Sequence, residues 1–440
     1  MLDANIKIIS ELKSFIFLVL SDHKLLEKFS TSPGSFTRTR KLPFDKLVLF
    51  ITKLCKKTLS VELEQFFDDW GCEYNCSVSA FVQQRLKLEP FFFCWWNMLL
   101  VNSFLHYYGN EVKRWNGYRV VAADGSNVSL VNNASLSGHF GGQRNQKASF
   151  TQAKTFYHYD VLNELVLSAR IEAYRYGEIQ MAYDAMDAVE EDMLMIYDRY
   201  YCSYKMVALH LWQEQERKFV IRGNERQNLI KSFINSGKRS SIVLMQPSCE
   251  SLKGLKKCGF IITNTTRLKV RLVRVELASS IEVLVTNLWE EDGFETDFFK
   301  DLYFMRWGVE TNISIQKNIL QMESFSGLTV QSVLQDFYAT IVMVNLHSIL
   351  IKTSQTTVDN TTKHHKHPKK INKNKSFGKL KARIISLFVS NNVVEILQKL
   401  TEHFIRDLVP IRKGRSFKRV RKSVQAKSKY KTFSNFKPAH

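Results

Sequence analysis

The stretch RVVAADGSNVSL, residues 119 to 130, decides how the middle of the chain is read. Val120 to Ala123 form a short continuous apolar run, the pattern of a strand covered on both faces, and the run ends in Asp124, Gly125 and Ser126. Seventy residues on, MLMIY at 193 to 197 repeats the pattern and also ends in an aspartate, Asp198. Between them lie KTFYHYDVLN and LVLSARIEAY, two strand-like runs separated by a short turn at Asn163 and Glu164, and then a helical pattern through EIQMAYDAMDAV. A helix in SYKMVALHLWQEQ leads to a last strand, FVIRG, at 219 to 223.

The order strand, strand, strand, helix, strand, helix, strand predicts an α/β fold: a ribonuclease H-like core built on a mixed sheet, with ligands at the carboxyl ends of the strands. Residues 1–110 read as a helical N-terminal region, 111–222 as the first part of the core, and 223–295 as a β-rich insertion carrying SIVLM, GFIIT, LKVRLVRVEL and IEVLVTNL. A helix at the start of 296–352 and a long apolar helix after it complete the core. Residues 353–440 begin with a linker, TTVDNTTKHHKHPKKINKNK, and continue through an amphipathic stretch at 379–408 to a basic tail.

In the helix after the insertion, YFMRWGVETNISIQK (303 to 317) places charges among apolar residues. At 100° per residue Tyr303, Arg306, Glu310 and Lys317 fall within an arc of about 60°. Charges on a helix packed on several sides need partners. Two partnerships are open: a surface Arg and Glu pair at four-residue spacing, or a functional stripe.

Composition narrows the functions. Residues 361 to 440 hold 22 Lys and Arg against Glu395, Glu402 and Asp407, which leaves only +2 of the net +21 to the rest of the chain. Such a block is either an arm for a polyanion, nucleic acid first, or a solvated end. Seven cysteines between Cys55 and Cys258 make no disulfide framework, and Cys72 with Cys76 lacks a second pair at zinc spacing, so a reducing cytoplasm is expected. His364, His365 and His367 sit among lysines and read as a solvated tract. FFFCWWNMLLVNSFLHYY at 91 to 108 is interrupted by Asn97, Asn102, Ser103 and His106, which predicts a buried helix and no membrane span. FIFLVL at 15 to 20 is too short for an export signal. Near the N-terminus, Arg38, Arg40, Lys41, Arg85 and Lys87 suit either a helix-turn-helix reader of DNA or the solvated faces of packing helices.

Asp124, Asp198 and Glu310 thus stand as two strand-end carboxylates and one on a helix returning to the sheet. Three converging carboxylates repel unless a cation sits among them, and hard divalent ions, Mg²⁺ or Mn²⁺, are the expected occupants. Two such ions would activate a water or a 3′ hydroxyl and stabilise the leaving oxygen of a phosphodiester. Arg306 and Lys317 would then grip phosphate oxygens, with Tyr303 beside the cleaved end.

These residues resemble the DDE transposases of bacterial insertion sequences, specifically the insertion-sequence-four family. Its Tyr, Arg, Glu, Lys signature is matched by Tyr303, Arg306, Glu310 and Lys317. Its first acidic motif is matched by Asp124-Gly125-Ser126, and its second by Asp198-Arg199-Tyr200-Tyr201. KLPFDKLVLF and PIRKGRSFKR resemble stretches flanking the core in relatives. Relatives that form a DNA hairpin place a stacking Trp in the insertion, where this chain offers Trp289 and Trp212.

The resemblance implies a DNA transposase that cuts the ends of its own element and joins the 3′ hydroxyls to target DNA. Asp124, Asp198 and Glu310 would be its catalytic metal ligands for two Mg²⁺ or Mn²⁺ ions, and Tyr303, Arg306, Lys317 and Arg199 its DNA contacts. It also implies double-stranded DNA partners (terminal inverted repeats and target), a homodimer across paired ends, and a place in the bacterial cytoplasm on the nucleoid. A catalytically silent DNA-binding derivative and a metal-dependent nuclease without strand transfer are the alternatives.

Overall fold

The computed structural model describes residues 2–38, 40–144, 149–278 and 280–412. The basic end from residue 413 onward, including most of PIRKGRSFKR, lies outside the described residues. The chain divides into two compact units. One comprises Met1–Val112, Val128–Ala153 and Ile315–His440, the other Lys113–Asn127 and Lys154–Ser314.

Among the described residues nine strands form one mixed sheet: β1 (Arg119–Ser129), β2 (Gly142–Arg144), β3 (Ser149–Asp160), β4 (Leu165–Ala173), β5 (Met193–Tyr197), β6 (Lys218–Arg222), β7 (Ser240–Met245), β8 (Leu268–Glu276) and β9 (Ile281–Thr286). β1, β5 and β6 run parallel, with β3 beside β1 and β4 beside β3. That order, β4-β3-β1-β5-β6, is the ribonuclease H-like core. The strands that follow continue the same sheet: β9 pairs antiparallel with β6, β8 with β9, and β7 with β8.

The central strands read as continuous apolar runs because both faces are covered. Val121, Ala123, Met193, Met195, Tyr197, Phe219 and Ile221 point to one core, shared with Met181 and Ala182 of the helix Glu178–Asp184 and with the helix Tyr204–Leu211. Val120, Leu194, Ile196 and Val220 point to the other, shared with Phe299, Leu302 and Tyr303 of the helix Phe298–Phe304. The strict alternation assigns every residue of β1, β5 and β6 to a face.

Three local expectations are corrected. GFIIT forms no strand: residues 260–263 are irregular, Gly259 has φ +85°, and Ile261 is fully exposed. The start of the expected linker is helical, since Val330–Thr362 runs through TTVDNTT with Ser354, Val358 and Thr362 buried at four-residue spacing. The stretch at 379–408 is two helices, Lys373–Val389 and Val393–Arg406.

In the other unit, Val330–Thr362 is long and apolar enough to cross a membrane, but its middle is buried in the unit. It packs against Phe91–Tyr108, the helix of the FFFCWW run. The buried polar residues of that run are satisfied: Asn345 Nδ2 donates to Asn97 Oδ1 at 2.7 Å, and the Ser103 hydroxyl donates to Glu11. Arg85 is buried, donating to Gln335 Oε1 and Asp336 Oδ1, each at 2.9 Å, and to the Ser326 hydroxyl at 2.8 Å. It is therefore a packing residue and not a DNA reader. Asp336 is buried too. Burial alone would raise its carboxyl, yet Arg85, Lys56 and the Ser326 donors outweigh burial and hold it below the usual range.

Candidate active site

The parallel register of β1 and β5 brings two aspartates level. Ala122 pairs with Ile196, the last partners of that ladder, so Asp124 and Asp198 each lie two residues beyond it. Alternation puts both on the face that carries Val120, Leu194 and Ile196. Asp198 follows β5 directly, caps the 3₁₀ turn Arg199–Tyr201 and accepts from Tyr200 N–H at 2.7 Å. Asp124 lies inside β1, which continues to Ser129 beyond the β5 pairing, and accepts from Gly125 N–H at 2.9 Å.

The charged stripe is not carried by one continuous helix. Tyr303 lies on Phe298–Phe304, Arg306 in a break, Glu310 on Trp307–Ser314, and Lys317 in a π-helical turn, Ile315–Ile319. π turns of this kind recur at functional positions. Tyr303 packs in the same core as β5 and β6, on the face that holds both aspartates. Lys317 belongs to the other unit, where its ammonium approaches Glu323 at 3.9 Å. Arg199 is exposed, as is Tyr200 beside it.

Arg306 is buried. It donates to Glu310 Oε1 at 2.9 Å and lies 4.9 Å from the Trp307 ring and 5.9 Å from that of Tyr303. Among the described residues its Nε has no hydrogen-bond partner. Burial opposes the charge, but Tyr303, Glu310 and Asp124 outweigh it and keep the guanidinium charged. The Asp124 carboxyl is pushed up to about 7, first by burial and further by Glu178 and Glu310, against Gly125 N–H and Arg306. Burial, with Glu178, Asp124 and Asp198 nearby, also pushes the Tyr201 hydroxyl well above its ordinary value, so it stays a donor.

Glu178 is the residue of this site that the sequence did not reveal. Its Oε1 accepts from the Tyr201 hydroxyl at 2.6 Å, and its side chain covers Gly125. The only local signal was the glycine after Asp124, which reads as a turn residue.

Among the described residues no three His, Cys, Asp or Glu side chains stand close enough to hold a metal ion as they are. The donor set fits a hard divalent cation, since Asp124, Asp198 and Glu310 offer carboxylate oxygens. Glu310 has one oxygen held by Arg306, which supplies positive charge among these acids.

A ribonuclease H-like sheet with acidic residues at the carboxyl edge of its parallel strands is the frame of a nucleic-acid-processing core. The profile of the family described as Transposase DDE domain matches residues 115–346, more than half of the chain, and the protein belongs to that family. It is a DNA transposase by family, and DDE transposases generally use divalent metal ions. No curated protein matches the chain. Among solved structures, the cryo-EM structure of piggyBac transposase synaptic complex with hairpin DNA is similar at 11% identity and a TM-score of 0.39, covering 97% of this chain and 88% of that one.

Proposed function

We propose that this chain is a transposase of the insertion-sequence-four type that cleaves the ends of its own element and joins the 3′ hydroxyls to target DNA. The observation that carries the reading is the level register of Asp124 and Asp198 on the face covered by the Tyr303 helix, within the span matched by the family. Asp124, Asp198 and Glu310 would hold two Mg²⁺ or Mn²⁺ ions, which would supply activation of the attacking oxygen and stabilisation of the leaving one. Arg306, exchanging Glu310 for a phosphate oxygen, and Arg199 and Lys317 contact the DNA backbone, with the Tyr303 hydroxyl beside the cut end. With the Asp124 carboxyl pushed up to about 7 in the metal-free chain, a cation bound there would displace a proton, and its affinity would rise with pH.

End recognition falls to the N-terminal helices. A cavity of about 550 Å³ runs along the helix Val78–Arg85, with Arg40, Lys41 and Asn75 toward its start and Gln83 and Lys87 toward its end, and no acidic side chain lines it among the described residues. A row of cations along a groove suits a phosphate chain. The protein works as a homodimer across paired inverted repeats, on the bacterial nucleoid in the cytoplasm.

The test is cleavage and joining of a DNA fragment carrying the element ends, in Mg²⁺, by the native chain and by Asp124→Asn, Asp198→Asn and Glu310→Gln. All three variants are expected to bind DNA and not cut it. Cleavage by any of them would sink the assignment, and cutting without joining by the native chain would return the nuclease reading.

A further inference from the structure

Gly125 is the neighbour of Asp124 in β1 and faces the opposite side of the strand. The space over its α-carbon is filled by Glu178: a methyl group at position 125 would lie 2.6 Å from both Cγ and Oε2 of that side chain, closer than such atoms approach. A side chain there would have to push the Glu178 carboxylate aside. Glu178 opens the helix Glu178–Asp184, which Met181 and Ala182 anchor in the core on that face. Its other oxygen, Oε1, accepts from the Tyr201 hydroxyl at 2.6 Å. Tyr201 ends the turn that Asp198 caps, and its buried ring is fixed against Tyr197 at 5.5 Å and Phe156 at 6.2 Å.

One carboxylate therefore touches both segments that carry the aspartates, from behind the face on which those aspartates stand. A short O–H···O⁻ bond between two half-buried or buried groups, one anchored on a helix and one on a packed ring, leaves little freedom to either. We propose that Glu178 is a positioning residue, setting the spacing of the Asp124 and Asp198 carboxylates through the Tyr201 hydroxyl on one side and contact with Gly125 on the other. It rests on the reading of those two aspartates as metal ligands. Groups that orient ligands in this way commonly change metal affinity by about 10- to 100-fold when removed.

Calorimetric titration of the full chain with Mn²⁺, without DNA, tests this, beside thermal melts in chelator. Tyr201→Phe and Glu178→Ala are each expected to weaken Mn²⁺ binding about tenfold or more. The double variant should be no weaker than the worse single one, because both remove the same link. Glu178→Gln keeps an oxygen to accept from Tyr201 and should bind Mn²⁺ almost normally. Unchanged binding by Tyr201→Phe, additive losses in the double variant, or a Glu178→Gln loss as large as that of Glu178→Ala would each overturn the proposal. If Glu178→Ala does not fold, Tyr201→Phe, which loses one oxygen from an otherwise unchanged ring, decides alone. Asp124→Asn separates the two levels of the argument. Normal Mn²⁺ binding by Asp124→Asn removes the metal-ligand reading itself, whereas its loss beside a normal Tyr201→Phe removes only the role of Glu178.

Discussion

Arg306 and Glu310 are bound to each other at 2.9 Å, four residues apart, with the guanidinium buried and the carboxylate about one-third exposed. The pair is real, yet it is no ordinary surface contact, because Asp124 also acts on the same guanidinium. Arg306→Ala should cost more than the ~0.5 kcal/mol of an exposed helix pair and less than the ~3–5 kcal/mol of a fully buried one. Melts in chelator should show the deficit, and added Mn²⁺ should shrink it by supplying the missing positive charge. Strand transfer should fall as well. Normal transfer by Arg306→Ala would leave the residue a purely structural role.

Asp124 holds its carboxylate at a cost to the fold. Its carboxyl is raised from 3.8 to about 7 in the folded chain, first by burial. A raised carboxyl contributes stability that is present below pH 3.8 and lost as pH rises through about 7. Asp124→Asn should therefore melt higher than the native chain at pH 8 in chelator, with the gain vanishing toward pH 4. An equal or lower melting point at pH 8 would contradict it.

Acid should act through two histidines in the strand unit. His158 and His210 are buried, both ring nitrogens of His158 lack partners among the described residues, and burial lowers His158 to about 4 and His210 to about 3. The unfolded chain binds their protons near pH 6.5, so stability falls as pH drops below that, by at most about 2.7 kcal/mol per unit for two protons. Denaturant midpoints measured from pH 7.5 to 5 check the slope, and His158→Phe should flatten it.

In the N-terminal helices, basic residues divide by burial. Arg85→Met should destabilise by about 3–5 kcal/mol, because Asp336 loses its buried partner. Arg40→Ala and Lys87→Ala should leave the melt unchanged and each lower the salt slope of DNA binding by about 0.9. An unchanged slope in both would remove the cavity they line from the DNA path.

The central strands were legible because burial on two faces writes itself as an unbroken apolar run, and MLMIY is β5 residue for residue. β1 runs past Asp124 into polar sequence, where the ladder to β5 has ended and no apolar signal is required. A helical wheel assumes a uniform 100°, so it missed the break at Arg306 and the π turn at Lys317. GFIIT has strand composition, but no strand forms there, and Ile261 is left in solvent. Glu178 was illegible for another reason: its meaning depends on Gly125 and Tyr201, which only the register of the sheet brings to it.

β6 has a partner on each side, β5 and β9, so the strand next to the Asp198 turn is an inner strand and not a margin. Its amides are shielded on both edges, and those of β5 sit one strand deeper. In hydrogen-exchange terms β5 and β6 stand among the slow strands of the sheet, with β7 placed outermost to fray first. The chain that leaves after β6 and returns as β9 thus works as a seal on that side: thermal opening at the β7 rim has β8, β9 and β6 to cross before it reaches β5, whose end carries Asp198.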